Sequence, residues 1–549
     1  MCVFVVESLT NRSKSINLRA AMRLIKLVWL VFLCMPLSVV GQFNTNLPPR
    51  PLSLQEALHL AIEHNLDIKI ARYAPDIAYY NWRGTYGYYD PSLSAAASHG
   101  ISVTEGGGFD ARGDPTRGVD SKFDHMEGGI VGVLPVTGLK YGLSGNFDHV
   151  YGTRALFPFD TYQGRVDLTL QQPLLRDFWT DANRTAIKLA KQDLKIAEQD
   201  FRFRVQQVVN LTQQAYYELI ASRDEIVSRQ KALELAERFA DETKRRVELG
   251  TLPPLDEVQA QSEAATARAD LIFARQRSVL AENTLKSLIT DNYELWHSYA
   301  LTPTERLVAV PEDLDLGASW ISGLSLRPDL KALEERLERQ GIVVKYQRNQ
   351  VFPQLDLVGT LGRSGIDNKF NTIVITNVTP RPGPDIRDIV VIPGRDANFS
   401  DVLDDISRDN NPSYSYGIVF QTPLGWRRER NALKAAKLQR DALQWQFVQL
   451  RQSIQTGIDN ALTSARANFE RAGATRQATA FAQAALDAEM KKMEAGRSTP
   501  FQVLQLQRDL TNRRFEEIRA LADYNKALAE LSFTEGTILD RNKIAIDIR

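Results

Sequence analysis

Cysteine is nearly absent from this 549-residue chain: only Cys2 and Cys34 occur, both at the front. The remaining body therefore rests on neither disulfides nor thiol chemistry. A surplus of either charge is also missing. Lysine plus arginine number 67 and aspartate plus glutamate number 67, so nothing favours a polyanion such as nucleic acid. Histidine is scarce. His59 and His64 are five apart, not the four that would share a helix face, and no His-Glu-x-x-His or Gly-x-x-x-x-Gly-Lys-Ser/Thr motif occurs. Gly138, Gly142 and Gly145 have the spacing and strand context of barrel turns, not of a phosphate cradle. These absences predict no catalytic constellation, no cofactor and no metal site. Long apolar runs are missing beyond the front, so any membrane role falls to strands.

The front itself reads as an export signal. Met22 to Lys26 is short and basic, Leu27 to Val40 is apolar, and Val39-Val40-Gly41 precedes polar Gln42. A signal peptide over 1–41 is expected, with Met22 as an alternative start. The run is short for a transmembrane helix. Phe32-Leu33 before Cys34 lacks the small residue that lipid attachment favours.

What is present is a duplication. Asp67 and Pro91 recur 262 residues later as Asp329 and Pro353, and Ala190 and Gly250 recur 246 residues later as Ala436 and Gly496. Each half runs helix, proline, strand-rich stretch, then a very long helix that stops at glycine and restarts at proline. The spacing changes only across the strand segments, so helix length is the fixed quantity.

Ser53 with Glu56 opens the first helix as a capping box, and its pattern resumes near Leu66 and stops at Asp90-Pro91. Its last turns are aromatic (Tyr79, Tyr80, Trp82, Tyr86, Tyr88, Tyr89), which suits either helix packing or an interfacial belt. From Ser92 the period becomes two. Strands are expected from there and over 128–135, 139–149 and 162–171, then around Leu355 and over Tyr414 to Gln421. Loops are expected at Gly106–Lys122 and Gly362–Pro412, with Ile373–Ile375 and Ile389–Ile392 as a further hairpin. Asp401, Asp404, Asp405 and Asp409 lack calcium-loop spacing and read as a solvated loop. The long helices are expected over 183–249 and 426–495. The second carries Leu443, Phe447, Leu450, Ile454, Ile458, Ala461 and Ala465, a repeat of eleven that favours nearly straight packing. Gly250 and Gly496 end them, and Pro254 and Pro500 open return helices. A few strands from one chain leave open edges that lipid does not tolerate, so a ring of copies is expected.

Ser53-Leu54-Gln55-Glu56-Ala57-Leu58 with Asn65-Leu66-Asp67-Ile68, then Arg327-Pro328-Asp329-Leu330, Phe352-Pro353-Gln354-Leu355 and Thr422-Pro423-Leu424 carry a family resemblance. In order and spacing the chain resembles the TolC family of outer-membrane efflux proteins, over about residues 52 to 535. The resemblance implies a mainly α fold with membrane β structure: a homotrimer with a twelve-stranded β-barrel, four strands per protomer, continuing into an α-helical periplasmic barrel. It implies an N-terminal segment with the first tunnel helices at 42–90, barrel strands at 91–175, and a first periplasmic hairpin at 181–290. A connecting segment with tunnel helices follows at 291–352, barrel strands with a long extracellular loop at 353–423, a second hairpin at 426–533 and a tail at 534–549. It further implies an exit duct in the cell outer membrane, embedded in its lipid. The duct serves a tripartite efflux or type I secretion system, docked to a periplasmic adaptor (membrane fusion protein) and an inner-membrane RND or ABC pump. On this resemblance Gly250, Thr251, Leu252, Gly496, Arg497, Ser498 and Thr499 form the adaptor-docking tips. Asp256, Gln502 and Gln505 line the pore entrance. Two features depart from the family pattern. The first strand region carries an additional hairpin at 128–149, and glutamines stand at 502 and 505 where some members carry acids. The rival readings are a periplasmic adaptor, which usually has one hairpin, and a structural coiled coil, which the alternating strands oppose.

Overall fold

The computed structural model describes residues 48–104, 106, 118–154, 157–369, 372–376, 388–392 and 395–545. The signal segment expected at 1–41 lies outside them.

In chain order the elements are β1 (Pro49–Leu52), α1 (Leu54–His64), α2 (Leu66–Gly84), a 3-10 turn (Thr85–Tyr89), β2 (Ser92–Thr104), β3 (Val119–Val133), β4 (Lys140–Arg154), β5 (Phe157–Pro173), α3 (Ala182–Glu248), α4 (Pro254–Ile289), α5 (Tyr293–His297), β6 (Ala300–Pro303), α6 (Leu316–Leu326), α7 (Pro328–Gln350), β7 (Gln354–Asn368), β8 (Thr372–Thr376), β9 (Asp388–Ile392), α8 (Phe399–Ser407), β10 (Pro412–Gln421), α9 (Arg427–Glu494), α10 (Pro500–Thr534) and α11 (Ile538–Arg541). Among the described residues no helix is long and apolar enough to cross a membrane.

The termini of these elements follow from their residues. The Ser53 hydroxyl accepts the Glu56 amide at the start of α1, and the Asn65 side chain accepts the Asp67 and Ile68 amides at the start of α2. α3 has 67 residues and α9 has 68, about 100 Å each at 1.5 Å per residue. The predicted stripe of α9 faces inward: Ile454, Ile458, Ala461 and Ala465 are buried, and Phe447 and Leu450 pack beside them. Its counterpart on α3 buries Phe201, Val208, Thr212, Ala215 and Leu219, while Arg204 stays outside and pairs with Asp67 at 3.0 Å.

The protomer is a plank. Near the strands its helices lie in the order α2–α3–α7–α9, and towards the hairpin tips in the order α4–α3–α10–α9. A waist core joins Leu52, Leu58, Val205, Tyr216, Leu285 and Leu301 where β1 pairs in parallel with β6. That pairing joins segments about 250 residues apart, and the sequence pattern did not signal it.

Above the helices stands one antiparallel sheet of six strands, in the order β10-β7-β5-β4-β3-β2. The family resemblance implies four strands per protomer; the sheet has six. The hairpin expected at 128–149 is part of this sheet, and its strands run much farther, over 119–133 and 140–154. Its helix-side turn is fixed to the helices, since the Arg184 guanidinium of α3 donates to the Pro135 carbonyl at 2.5 Å. β8 and β9 pair with each other apart from this sheet. The long second loop also contains α8, where a solvated loop was expected. Phe399 meets the Phe147 ring at 5.4 Å, and Val402 is fully buried. The loop aspartates are taken up locally: Asp404 pairs with Arg408 at 2.9 Å and Asp409 with Arg363 at 2.9 Å. No group of acids or histidines arranged to hold a metal occurs among the described residues.

Candidate functional site

The tips of the two helical hairpins lie at the pole opposite the sheet, and each is built by the same backbone device. Gly250 has φ +71° and Gly496 has φ +68°, the left-handed region where glycine has no Cβ penalty. The Gly250 amide donates to the Val247 carbonyl at 2.9 Å and the Thr251 amide to the Arg246 carbonyl at 2.9 Å. At the second tip Gly496 donates to Met493 at 3.0 Å and Arg497 to Lys492 at 2.8 Å. Both are Schellman closures, which satisfy carbonyls that the ending helix leaves over. Pro254 and Pro500, whose missing N–H costs nothing at a helix start, begin the return helices.

Side chains make the tips unequal. At the first, the Thr251 hydroxyl donates to the Arg246 carbonyl at 2.8 Å, while Leu252 is half-buried. At the second, the Ser498 hydroxyl donates to Glu489 at 2.5 Å and lies 3.2 Å from the Gln502 side-chain oxygen. Lys492 pairs with Glu489 at 2.8 Å. The hydrogen bonds from Lys492 and Ser498 hold the Glu489 carboxyl below its ordinary value. Arg497 and Thr499 are exposed.

The three residues expected at the entrance do not converge within one protomer. Asp256 sits in the first turn of α4 beside Glu257, where the helix dipole favours negative charge. Gln502 belongs to the Ser498 cluster. Gln505 lines a cleft between α4 and α10 with Val258, Ser262, Phe501 and Arg508. The first turn of α10 carries no acid.

Sequence reasoning missed the groups that link the hairpins. Arg508 on α10 donates to Glu263 on α4, with Nε at 3.2 Å from one carboxylate oxygen and a guanidinium nitrogen bonded to the other. Farther from the tips, Glu218 on α3 receives Arg519 at 2.8 Å and also Lys526, both from α10. Burial alone raises the Glu218 carboxyl; the bonds from Lys526 and Arg519 outweigh it and hold the group below its ordinary value. These partners come from opposite halves of the chain, so neither periodicity nor local spacing pairs them. An exposed apolar rim (Leu249, Leu255, Val258, Phe501) surrounds the tips. It was visible in the sequence only as apolar residues next to turn glycines and prolines.

The comparisons with known proteins agree with this architecture. The sequence pattern of the outer membrane efflux protein family matches residues 136–290 and 322–537. Toxin and drug export protein A of Aggregatibacter actinomycetemcomitans is 24% identical over 200 residues, 36% of this chain and 43% of that one. Outer membrane efflux protein BepC of Brucella suis biovar 1 (strain 1330) is 23% identical over 347 residues, 63% of this chain and 66% of that one. The matches thus span less than two thirds of either relative's length. In fold, the Campylobacter jejuni CmeC outer membrane channel superposes with a TM-score of 0.61 at 15% identity, covering 88% of this chain and 86% of that one. With the family pattern covering both halves of the duplication, the chain belongs to the outer membrane efflux protein family, TolC-like in fold and resident in the cell outer membrane with a long periplasmic extension.

Proposed function

We propose that three copies of this chain form a passive exit duct. The duct receives cargo from a periplasmic adaptor and an inner-membrane RND or ABC pump, in tripartite efflux or type I secretion. One observation carries the reading: the protomer is an open plank with apolar edges along its length. On one edge α2 exposes Ile70, Tyr73, Ile77 and Tyr80; on the other α9 exposes Leu438, Trp445 and Val448. A plank encloses nothing, whereas a closed ring of planks buries those edges and leaves a bore.

The tips are the proposed docking surface. Gly250, Thr251, Leu252, Gly496, Arg497, Ser498 and Thr499 present two backbone turns, three hydroxyls, one exposed cation and one half-buried leucine, framed by the apolar rim. Asp256, Gln502 and Gln505 are the proposed lining of the closed entrance. Opening is a swing of the second hairpin away from the first, and Arg508–Glu263 is its latch. Arg508 is well exposed, so this pair is worth about 1 kcal/mol or less. A latch released by adaptor binding has to be weak.

Single-channel recording in planar bilayers tests the reading. Arg508→Ala is expected to raise open probability several-fold, and Gln502→Ala with Gln505→Ala to change opening or ion selectivity. Unaltered recordings from the glutamine pair would remove the lining role. A chain that fractionates as a soluble periplasmic monomer would remove the duct.

A further inference from the structure

We infer that the barrel of this protein has eighteen strands, six from each of three copies, closed by pairing β2 of one copy with β10 of the next. The inference rests on the duct reading above and fixes the width of its membrane end.

The six strands form one wall by two signs. The ladder is unbroken: Leu93, Ile130, Leu143, Leu168, Leu361 and Tyr414 stand opposite one another in a single row across all six strands. That row is apolar throughout. The neighbouring row on the opposite face is Ser94, Gly129, Ser144, Asp167, Gly362 and Ser413. The added hairpin β3–β4 therefore carries the same greasy outer face and polar inner face as the strands on either side, as a membrane wall requires.

The register also gives the tilt. Leu93 lies one residue above the helix-side end of β2 at Ser92, whereas Tyr414 lies seven above the helix-side end of β10 at Gln421. The row thus climbs six residues over five strand-to-strand steps. With about 3.3 Å per residue and about 4.8 Å between strands, this is a tilt of about 40°, that of closed membrane barrels.

Perimeter is consistent with the count of six that the sheet shows. At that tilt six strands occupy about 38 Å of wall and four would occupy about 25 Å. The helical layer beneath is four helices wide, which at 8–10 Å between axes is about 32–40 Å. Six strands continue the helical wall without narrowing, and three copies make a barrel about 36 Å across at the backbone, against about 24 Å for twelve strands.

The edges are made for one another. β2 runs away from the helices and β10 runs towards them, so a neighbour's β10 meets β2 antiparallel. Among the described residues neither edge has a second strand partner. Continuing the climb by one step places Tyr414 near Gly100 of the next copy. Keeping like faces together selects His99 or Ile101 as its partner. The corresponding inward-facing pairs are Ser98 with Ser415, or Ser98 with Gly417.

Conductance would report the tips, not the barrel, so the test is imaging plus cross-linking of the full-length protein. In lipid nanodiscs, cross-sections of the particle by electron cryomicroscopy are expected to show eighteen strands. With Cys2 and Cys34 replaced by serine, Ser98→Cys combined with Ser415→Cys or Gly417→Cys is expected to give disulfide-linked copies in the membrane on oxidation with copper phenanthroline. Ser98→Cys with outward-facing Ile418→Cys is expected not to. A trimer with twelve wall strands, β3 and β4 lying off the wall, overturns the inference and leaves the duct standing. Absence of cross-links in both registers overturns the edge pairing. A particle of one copy, or a β2 edge paired with another protein, overturns the inference together with the trimer on which it rests.

Discussion

At the scale of single residues, Glu218 gives a direct test of how the halves are joined. It is three-quarters buried and takes two cations from α10, so it ties the first half of the chain to the second. Glu218→Gln leaves Arg519 and Lys526 partly buried without their acid, an expected loss of about 2 kcal/mol. The pH dependence has a definite sign. A carboxyl held below its unfolded value of about 4.5 stabilises the fold above that pH, and this contribution disappears as pH falls through the folded value. Thermal melts of wild type and Glu218→Gln should therefore differ at pH 7, and the difference should shrink as pH falls below about 4.5 towards the folded value. A difference that stays constant down to pH 3 would assign the loss to packing instead. Gly496 is a contrasting case. Nothing lies within 4 Å of where its Cβ would be, so Gly496→Ala costs only backbone strain, about 1 kcal/mol. Hydrogen exchange should show faster opening of the second tip and an unchanged waist.

Elements were legible in proportion to how local their signals are. The long helices run over 182–248 and 427–494, against 183–249 and 426–495 expected, because Gly250 and Gly496 stop them by backbone chemistry alone. The strands were read short. β3 was expected from 128 but starts at Val119, because Asp120, Lys122 and Asp124 look like loop. In the sheet those polar residues sit near the outer end, where Asp124 takes His99 at 2.6 Å and lies 3.4 Å from His149. Alternation fades where a strand leaves the apolar layer, so periodicity cannot mark its end. α8 was hidden for a similar reason. Phe399, Val402 and Ile406 have helical spacing, but acids and serines surround them, and only the glycines opposite make room. Val402 fills the space beside Gly164, where an added Cβ would stand 3.0 Å from its methyl. Val402→Asp is thus expected to detach α8 from β5 and β7 while leaving the ladder intact. Limited proteolysis within 395–411 should become much faster, by tenfold or more, with no change in trimer yield. Equal cleavage rates would mean that the contact does not hold the helix.

At the scale of the whole molecule, the two halves of the duplication specify how a copy is built but not how copies meet. Each long helix buries most of its stripe inside the plank, Arg204 of α3 excepted, and separate residues cover the edges. The residues of the proposed seam were not found from sequence because an exposed Trp or Ile on a helix reads as ordinary surface until the neighbouring helices are placed. Trp445 on α9 is 74% exposed in one copy, and Ile70 on α2 is 69% exposed on the other edge, both in the half nearer the sheet. In a ring these edges face each other, so a carboxylate placed there would be buried without a partner at every seam. That penalty is several kcal/mol for each of three interfaces. Trp445→Asp is accordingly expected to shift the detergent-solubilised protein from trimer to monomer at micromolar concentration. Trp445→Phe, which keeps an apolar seam, should remain a trimer. Light scattering coupled to size exclusion reads the outcome, and helical circular dichroism checks that the single plank still folds. If Trp445→Asp assembles as well as wild type, the copies do not join along α9, and the bore must be enclosed by some other face of the plank.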